Sequence, residues 1–243
     1  MQGLIIAAGQ GTRLRGVAPS KPLAEVGGAP LIEHVARAAV AGGVNELVVV
    51  TGYRPEPLEA FLGQMGARLR IDLRTVRNPD WPGANGLSVL AAAPFLTGDF
   101  ALLMSDHLFD PAILAGVIAE RPPGAALTLA VDRRIDNPQL DLDDATKVEL
   151  DGERIVRIGK TLNAYGAVDT GIFVAGPALF EALDRALAEG GTGSLSEGVQ
   201  RLADRGLAAA WDCGGRWWLD VDDEAAFAKA QAALADQRGL PST

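Results

Sequence analysis

The sequence predicts an α/β fold, a three-layer α/β/α sandwich around a mixed, mostly parallel sheet. Short apolar runs alternate with segments of helical periodicity over about residues 1–130, as in a parallel sheet covered on both faces. Glycine supplies 29 of the 243 residues, and many glycines stand between apolar runs, where tight strand-to-helix turns need them. These observations predict one domain over residues 1–243, with a change of pattern near residue 130.

Alternating strands and helices are predicted throughout the first half. Residues 3–8 form an apolar run that ends in glycines, which is typical of a strand buried on both faces. Leu31, Ile32, Val35 and Ala36 begin a helical repeat that Gly42 ends. By the same criteria, further strands are predicted at residues 46–51, 69–76, 100–105 and 125–131, and further helices at residues 57–65, 86–93 and 111–120.

The second half begins with a predicted hairpin. Asp151-Gly152 is a turn signal between residues 147–150 and residues 154–158. Another strand is predicted at residues 172–174, and helices are predicted at residues 177–188, 195–205 and 222–235. We therefore expect the second half to extend the sheet of the first.

Composition and charge exclude several classes of protein. Asp and Glu outnumber Lys and Arg by 31 to 22, and the net charge of −9 disfavours nucleic-acid binding, which needs cations to neutralise phosphates. One cysteine and two histidines do not supply a zinc site. The single cysteine favours a reducing, cytoplasmic location. No basic signal-peptide region begins the chain and no apolar run reaches about 18 residues, so no membrane span is expected.

A glycine-rich loop after the first strand carries the strongest chemical signal. Gly9 and Gly11 expose backbone N–H groups, and such loops hold phosphate oxygens. Leu14 stands where a dinucleotide fingerprint needs its third glycine, and the proline after Lys21 excludes a Walker A motif. Arg13 and Lys21 add two cations, which suits a polyphosphate that leaves as pyrophosphate. The alternative is a tight turn beside two surface cations.

This opening resembles the signature of the nucleotidyltransferases that make nucleotide sugars and related activated alcohols. The matching segments are LIIAAGQGTRL at residues 4–14 and KPL at residues 21–23, with Ser20 where many members carry proline. The resemblance implies a Rossmann-like, nucleotide-diphospho-sugar transferase-like fold. It also implies an enzyme that joins a nucleoside triphosphate to a phosphorylated alcohol and releases pyrophosphate. The nucleotide would be bound by Leu4, Ala7, Ala8, Gly9, Gly11, Thr12, Arg13 and Lys21.

Three aspartates are candidate ligands for a Mg²⁺ cofactor. Asp106 follows an apolar strand, at the edge where open α/β sheets bind ligands, and Asp220 and Asp222 follow a second apolar stretch. Mg²⁺ is held by one or two carboxylates together with phosphate oxygens. In the resembled family, an aspartate after the fourth strand and one in a late tryptophan-containing motif hold the metal. This implies Asp106 and Asp220, with Asp222 as a competitor.

The loop at residues 78–88 is the candidate site for the nucleobase. It resembles the loop that contacts base and sugar in the same family. Asn85, Gly86 and Ser88 offer donors and acceptors to a pyrimidine edge, and Asn78 and Ser105 belong to the same predicted nucleotide site. The alternative is a polar loop in which Asn85 caps the following helix.

Motifs in the second half narrow the resemblance to the CTP:inositol-1-phosphate cytidylyltransferases. They are DATKV at residues 144–148, IGK at residues 158–160, VDTGIF at residues 168–173 and WLDVD at residues 218–222, and the resemblance covers about residues 2–230. Many sugar-nucleotide enzymes carry Glu-Lys-Pro in place of IGK. The resemblance implies that Lys160 binds the acceptor phosphate, that Lys147 shares it, and that Asp169 and Thr170 bind polyol hydroxyls. The alternatives are a cross-strand surface pair for Lys147 and a strand-end charge for Lys160.

The resulting hypothesis is a Mg²⁺-dependent enzyme that transfers CMP from CTP to inositol 1-phosphate. About residues 1–130 would bind the nucleotide and about residues 131–235 the acceptor, with Arg13, Lys21, Asp106 and Lys160 as the catalytic residues. A phosphate monoester is already anionic near neutral pH, so no general base is needed. The alternatives are a phosphocholine or sugar-1-phosphate nucleotidyltransferase and a catalytically silent nucleotide-binding subunit.

The expected partners are CTP, with UTP left open, and a phosphorylated small alcohol. Some members of the resembled family are fused to a membrane-embedded CDP-alcohol phosphotransferase. No such segment occurs in these 243 residues, so we expect the product to be used by a separate membrane enzyme. A homo-oligomer is a further expectation.

Overall fold

The computed structural model describes residues 1–14, 16–137 and 140–239. Its strands, in chain order, are β1 Gln2–Ala7, β2 Glu25–Val26, β3 Ala29–Pro30, β4 Glu46–Thr51, β5 Asp72–Arg77, β6 Phe100–Met104, β7 His107–Phe109, β8 Leu127–Asp132, β9 Lys147–Asp151, β10 Arg154–Gly159, β11 Ala167–Ala175, β12 Ala208–Asp212 and β13 Trp218–Asp220. Its α-helices are α1 Leu31–Ala41, α2 Pro55–Leu69, α3 Gly86–Ala92, α4 Pro111–Ala119, α5 Ala178–Ala188, α6 Leu195–Ala203 and α7 Glu224–Gly239.

In the described part of the chain, nine strands form the main sheet in the order β5-β4-β1-β6-β11-β8-β12-β10-β9. Strands β5, β4, β1 and β6 are mutually parallel, whereas β11 runs antiparallel to both β6 and β8. The chain moves outward from β1 through β4 to β5 and then returns to place β6 on the other side of β1. This reversal creates the crevice at which open α/β sheets bind ligands. The predicted α/β class with a mixed sheet is confirmed, although parallel pairing dominates only the first half.

Both faces of the sheet are covered, because alternate residues of each strand enter opposite apolar layers. In β1, Ile5 packs in the layer that includes residues of α1, α2 and α4. Leu4 and Ile6 pack in the opposite layer, with residues of α3, α5 and α6. Full burial of such a side chain contributes roughly 1.5–3 kcal/mol to folding. The strands flanking the crevice are therefore held rigidly on both sides.

One buried ionic contact ties α1 to α2. The carboxylate of Glu33 accepts hydrogen bonds from Arg37 at 2.6 Å and from Arg68 at 2.6 Å. Burial acts against the charged form, but the two guanidinium groups outweigh it and lower the pKa of Glu33. The pair of helices behind β1 and β4 is thus fixed by charge as well as by apolar packing.

Several boundaries differ from those predicted. Leu69 ends α2 rather than starting a strand, and β11 extends well beyond the predicted residues 172–174. The short strands β7 and β13, which sequence reasoning did not predict, pair antiparallel with His107 opposite Asp220. Three residues are too few to show a strand period. Within the described residues, no helix combines the length and apolar character that crossing a membrane requires.

Candidate active site

Two adjoining cavities open at the carboxyl ends of β1 and β6. The small cavity, of about 290 Å³, lies between the Ala8–Gly11 segment, Trp81 and Ser88. The large cavity, of about 580 Å³, is bounded on its far side by Lys160 and Asp169. Both cavities share part of one wall, formed by Lys21, Asn85, Met104, Asp106 and His107. Ligands bound in the two cavities would therefore meet at this shared wall.

Lys21 and Asp106 form an ion pair in the shared wall. Lys21 Nζ lies 2.6 Å from Asp106 Oδ2, and His107 Nδ1 lies 2.9 Å from Asp106 Oδ1. Burial disfavours the charged carboxylate, but Lys21 and His107 outweigh it and hold the pKa of Asp106 far below its usual range. Asp106 is therefore an anion at neutral pH, as a metal ligand must be.

His107 is positioned by a glycine and a tryptophan. Gly171 has φ +76° at a bulge in β11, and a Cβ built there would lie 2.5 Å from the His107 ring. On the other side, the rings of His107 and Trp218 stack with centroids 6.3 Å apart. Burial disfavours the imidazolium, but Asp220 and Asp106 raise the pKa of His107 to about 9. A cationic His107 is poorly suited to act as a base.

Asp220 completes a group of side chains that fits a divalent cation. One ligand atom from each of Asp106, His107 and Asp220 lies within 4.8 Å of the others. Asp220 Oδ1 is buried without a hydrogen-bond partner and lies 3.7 Å from His107 Nδ1, beyond hydrogen-bond distance, so this oxygen keeps its capacity to bind a cation. Burial also raises the pKa of Asp220. Hard cations such as Mg²⁺ take oxygen ligands, so the two carboxylates are the better donors.

Asp222 is directed elsewhere. Its Oδ2 lies 2.5 Å from Arg13 Nη2, and it is absent from the group of potential ligands found among the described residues. Burial, with the charge of Asp220, raises the pKa of Asp222 to about 6. Of the two late aspartates predicted as metal ligands, the structure favours Asp220, and Asp222 instead restrains Arg13.

Asp144 joins two cations that were predicted to bind different phosphates. Its carboxylate accepts from Arg13 Nη2 at 2.7 Å and also pairs with Lys160 Nζ. The Arg13 and Lys160 side chains are 55% and 57% exposed, so both remain accessible to an anionic ligand. Sequence reasoning gave Asp144 no role, although it begins the DATKV motif.

Of the four predicted acceptor residues, Lys160 and Asp169 line the large cavity, whereas Lys147 and Thr170 do not. Asp169 lines the large cavity, its Oδ1 accepts from Gly171 N at 2.7 Å, and burial raises its pKa to about 6. Lys147 does not line the cavity, and its Nζ donates to the Lys160 carbonyl at 2.9 Å. Thr170 is a correction: it is fully buried and its hydroxyl donates to the Ala130 carbonyl. Successive strand residues face opposite sides of a sheet, so Asp169 and Thr170 cannot both face the cavity.

Most predicted nucleotide residues line a cavity, but four do not. Leu4 is part of the core, and Thr12 is exposed outside both cavities. A Cβ on Gly86 would lie 2.3 Å from the Gly193 carbonyl oxygen, so this glycine serves the packing of α3. Asn78 is buried behind Ser88, outside the small cavity. The residues that do line a cavity are Ala7, Ala8, Gly9, Gly11, Arg13, Lys21, Asn85, Ser88, Ser105 and Asp106.

Asn85 connects the two cavities to α6. Its Oδ1 accepts from Leu195 N at 2.8 Å, at the beginning of α6, whose first turn is closed by a reciprocal Ser194–Glu197 capping box. Because the carbonyl oxygen of Asn85 is occupied, its amide nitrogen is the group left to donate to a ligand. The alternative reading of Asn85 as a side-chain cap of α3 is wrong, since it makes no such hydrogen bond.

The class of the protein, an NTP transferase, is shown by a family model that matches most of the chain. More particularly, the chain belongs to the MobA-like NTP transferase domain family, whose model matches residues 3–207.

Curated relatives and a solved structure resemble the chain over nearly its whole length. It is 38% identical over 221 residues, 90% of the chain, to a "Bifunctional IPC transferase and DIPP synthase" of Rubrobacter xylanophilus, and 31% identical over 240 residues to the protein of that name in Archaeoglobus fulgidus. These matches cover 48% and 44% of the relatives, so the chain spans about half their length. The structure of "the inositol-1-phosphate CTP transferase from T. maritima" superposes with a TM-score of 0.86 at 25% identity, over 99% of this chain and 98% of the other.

Proposed function

We propose that the chain transfers CMP from CTP to inositol 1-phosphate and releases pyrophosphate. The observation that carries the proposal is the shared wall, where Lys21, Asp106 and His107 lie between the small cavity beside the glycine loop and the large cavity that Lys160 lines. The relatives named IPC transferase and the inositol-1-phosphate CTP transferase structure support this choice of substrates. We also propose a single domain in which about residues 1–130 bind the nucleotide and about residues 131–235 the acceptor, with Arg13 and Asp106 of the first half lining the large cavity as well.

The nucleotide would occupy the small cavity with its phosphates at the glycine loop. Backbone N–H groups at Gly9 and Gly11 suit the phosphate oxygens. Lys21 and Arg13 would neutralise the charge that grows on pyrophosphate as the bond to the α-phosphorus breaks. The carboxylates of Asp144 and Asp222 form ion pairs with Arg13. Phosphate oxygens would replace them when the nucleotide binds.

Asp106 and Asp220 would hold Mg²⁺. Asp220 Oδ1 is buried and has no hydrogen-bond partner, which supports a cation at this position. When bound, Mg²⁺ neutralises phosphate charge and polarises the α-phosphoryl group. Asp106 is kept ionised by Lys21 and His107, and Asp220 is brought to it by the pairing of β7 with β13.

The acceptor would occupy the large cavity. Lys160 would bind its phosphate and hold one oxygen in line with the α-phosphorus, while Lys147 supports the Lys160 backbone. Asp169 would accept hydrogen bonds from polyol hydroxyls. The acceptor oxygen is an anion near neutral pH, so positioning and charge neutralisation supply the catalysis and no side chain has to remove a proton.

Further partners follow from the same proposal. The relatives are named as bifunctional, and we propose that CDP-inositol made by this chain is consumed by a CDP-alcohol phosphotransferase. We also propose that the protein works in a reducing, cytoplasmic setting. We propose a homo-oligomeric state as well, which size-exclusion chromatography with light scattering would measure.

The test is a matrix of pyrophosphate-release assays. Wild-type protein with Mg²⁺ is given each of four nucleoside triphosphates with inositol 1-phosphate, phosphocholine or glucose 1-phosphate. We expect release with CTP and inositol 1-phosphate. Release with another pair would overturn the substrates but retain the class of reaction, whereas CTP binding without release from any pair would favour a silent nucleotide-binding subunit.

Two aspartate variants control the assay. Asp106→Ala removes a proposed metal ligand and is expected to abolish release. Asp72→Ala removes the same charge from the exposed start of β5, far from the cavities, and is expected to retain wild-type turnover. Near-wild-type turnover by Asp106→Ala would contradict the proposed site.

A further inference from the structure

The orientation of the Asn85 side chain is fixed by a backbone group. Asn85 Oδ1 accepts a hydrogen bond from the backbone N–H of Leu195 at 2.8 Å, at the beginning of α6. Because a backbone N–H is only a donor, the amide oxygen, and not the amide nitrogen, must face Leu195. The amide nitrogen is therefore the end turned away from Leu195, and within the described residues it has no hydrogen-bond partner.

Close packing between two helices supports this arrangement. A Cβ on Gly86 would lie 2.3 Å from the Gly193 carbonyl oxygen, so a larger residue there would push the start of α3 away from the start of α6. The first turn of α6 is itself closed by the Ser194–Glu197 capping box. Asn85 thus holds its amide nitrogen on a rigid support, as a donor must be held if it is to stabilise charge without reorganising.

Asn85 lies where the two cavities meet. It is exposed, and among the described residues it is one of five that line both the small and the large cavity. In the same wall, Lys21 and His107 are paired with Asp106. The amide nitrogen of Asn85 therefore supplies a donor in the shared wall that the protein itself does not use.

The proposed reaction places an acceptor of hydrogen bonds at this junction. With the nucleotide in the small cavity and the acceptor substrate in the large one, the α-phosphorus forms a bond to the acceptor phosphate oxygen as its bond to the pyrophosphate oxygen breaks. The α-phosphoryl group must then lie between the two cavities. Its ionised non-bridging oxygens only accept hydrogen bonds, and an amide nitrogen only donates them.

We propose that Asn85 is a catalytic residue that donates from its amide nitrogen to a non-bridging oxygen of the transferred α-phosphoryl group. The inference rests on the proposed function for the positions of the two substrates. It assigns Asn85 to the reacting phosphate, whereas the sequence predicted a contact with the nucleobase.

The first variant that tests the inference is Asn85→Asp. The new carboxylate has the same shape and can still accept from Leu195 N–H, but its second oxygen is an anionic acceptor facing the phosphoryl oxygen. We expect kcat for pyrophosphate release to fall about 100-fold or more, the scale of one lost charge-stabilising donor. Asn45→Asp adds the same charge at an exposed position before β4 and should retain wild-type kcat.

Sulfur substitution in CTP identifies the atom that Asn85 contacts. The two diastereomers of CTP that carry sulfur in place of one non-bridging α-oxygen are assayed separately. Sulfur is a weaker hydrogen-bond acceptor than oxygen, so the wild type should be slowed by the diastereomer whose sulfur replaces the contacted oxygen. In Asn85→Asp and Asn85→Ala that slowing, measured as the ratio of kcat/KM for CTP to that for the sulfur analogue, should shrink at least fivefold because no donor remains to lose.

Turnover by folded Asn85→Asp within threefold of the wild type would overturn the inference. So would sulfur effects that are equal in the wild type and both variants, since a merely structural role slows CTP and its analogues alike. A lost preference for CTP over its 2′-deoxy analogue, with sulfur effects unchanged, would assign Asn85 to the ribose and overturn the inference as well. A wild type that releases pyrophosphate from no substrate pair would refute the proposed function together with this inference, whereas an active wild type with an unaffected Asn85→Asp would refute the inference alone.

Discussion

Replacing Lys21 by methionine removes the cation at the centre of the shared wall while keeping an unbranched apolar side chain. The ammonium lies 2.6 Å from Asp106, and the Lys21 side chain is only 12% exposed, so water screens its charge weakly. In the proposed reaction this cation faces the departing pyrophosphate. Loss of one fixed, charge-stabilising donor costs about 100–1,000-fold in kcat, or roughly 2.7–4 kcal/mol of the barrier.

Stability should fall less than activity. Removing one partner of a buried ion pair costs about 3–5 kcal/mol when the other charge is left alone. Here His107 still donates to Asp106 at 2.9 Å, and its pKa of about 9 keeps it cationic at neutral pH. We therefore expect Lys21→Met to lose about 1.5–3 kcal/mol of unfolding free energy, the scale of one hydrogen bond to a charged group.

Pyrophosphate release at saturating CTP and inositol 1-phosphate measures kcat, and urea unfolding measures stability. Arg205→Met, which removes one positive charge from an exposed loop, is the matched control and should retain wild-type kcat. The reasoning is refuted if folded Lys21→Met turns over within threefold of the wild type.

Three other changes test neighbouring parts of the account. Gly11→Ala should reduce kcat/KM at least tenfold, because Gly11 has φ +58° and an added Cβ would lie 2.4 Å from Lys21 Cβ. Asp220→Asn should raise the Mg²⁺ concentration for half-maximal release at least tenfold, because it removes the charge of one of the two proposed carboxylate ligands. Glu33→Gln should cost about 1–2 kcal/mol at pH 7. Because folding lowers the pKa of Glu33, that contribution is present above its usual pKa of about 4.3 and disappears as the pH falls through the folded-state value, so the unfolding free energies of wild type and Glu33→Gln should converge on acidification.

Long periodic elements and the glycine loop were predictable because their information is local. The apolar runs that form β1, β4 and β6 carry their own strand signal. The residue types of the loop after β1 predict that it binds phosphate. Asp106 was predictable for the same reason, since it follows a strand at the edge where ligands bind.

The remaining features depend on contacts between distant parts of the chain. Asp220 reaches Asp106 only through the pairing of two three-residue strands, which no period reveals. Which face of β11 meets the large cavity is set by the elements packed around it: Asp169 and Gly171 line the cavity, whereas Thr170 faces away. The roles of Asn85 and Asp144 are fixed by their hydrogen-bond partners, and residue type alone does not identify those partners.

The most direct test of the central claim follows the α-phosphate of CTP. Wild-type protein is incubated with Mg²⁺, inositol 1-phosphate and CTP labelled at the α-phosphorus, and the products are separated. We predict that the label enters CDP-inositol in equal amount to the pyrophosphate released, and only when inositol 1-phosphate is present. Label that ends in free CMP, or pyrophosphate release that ignores the acceptor, would contradict the account.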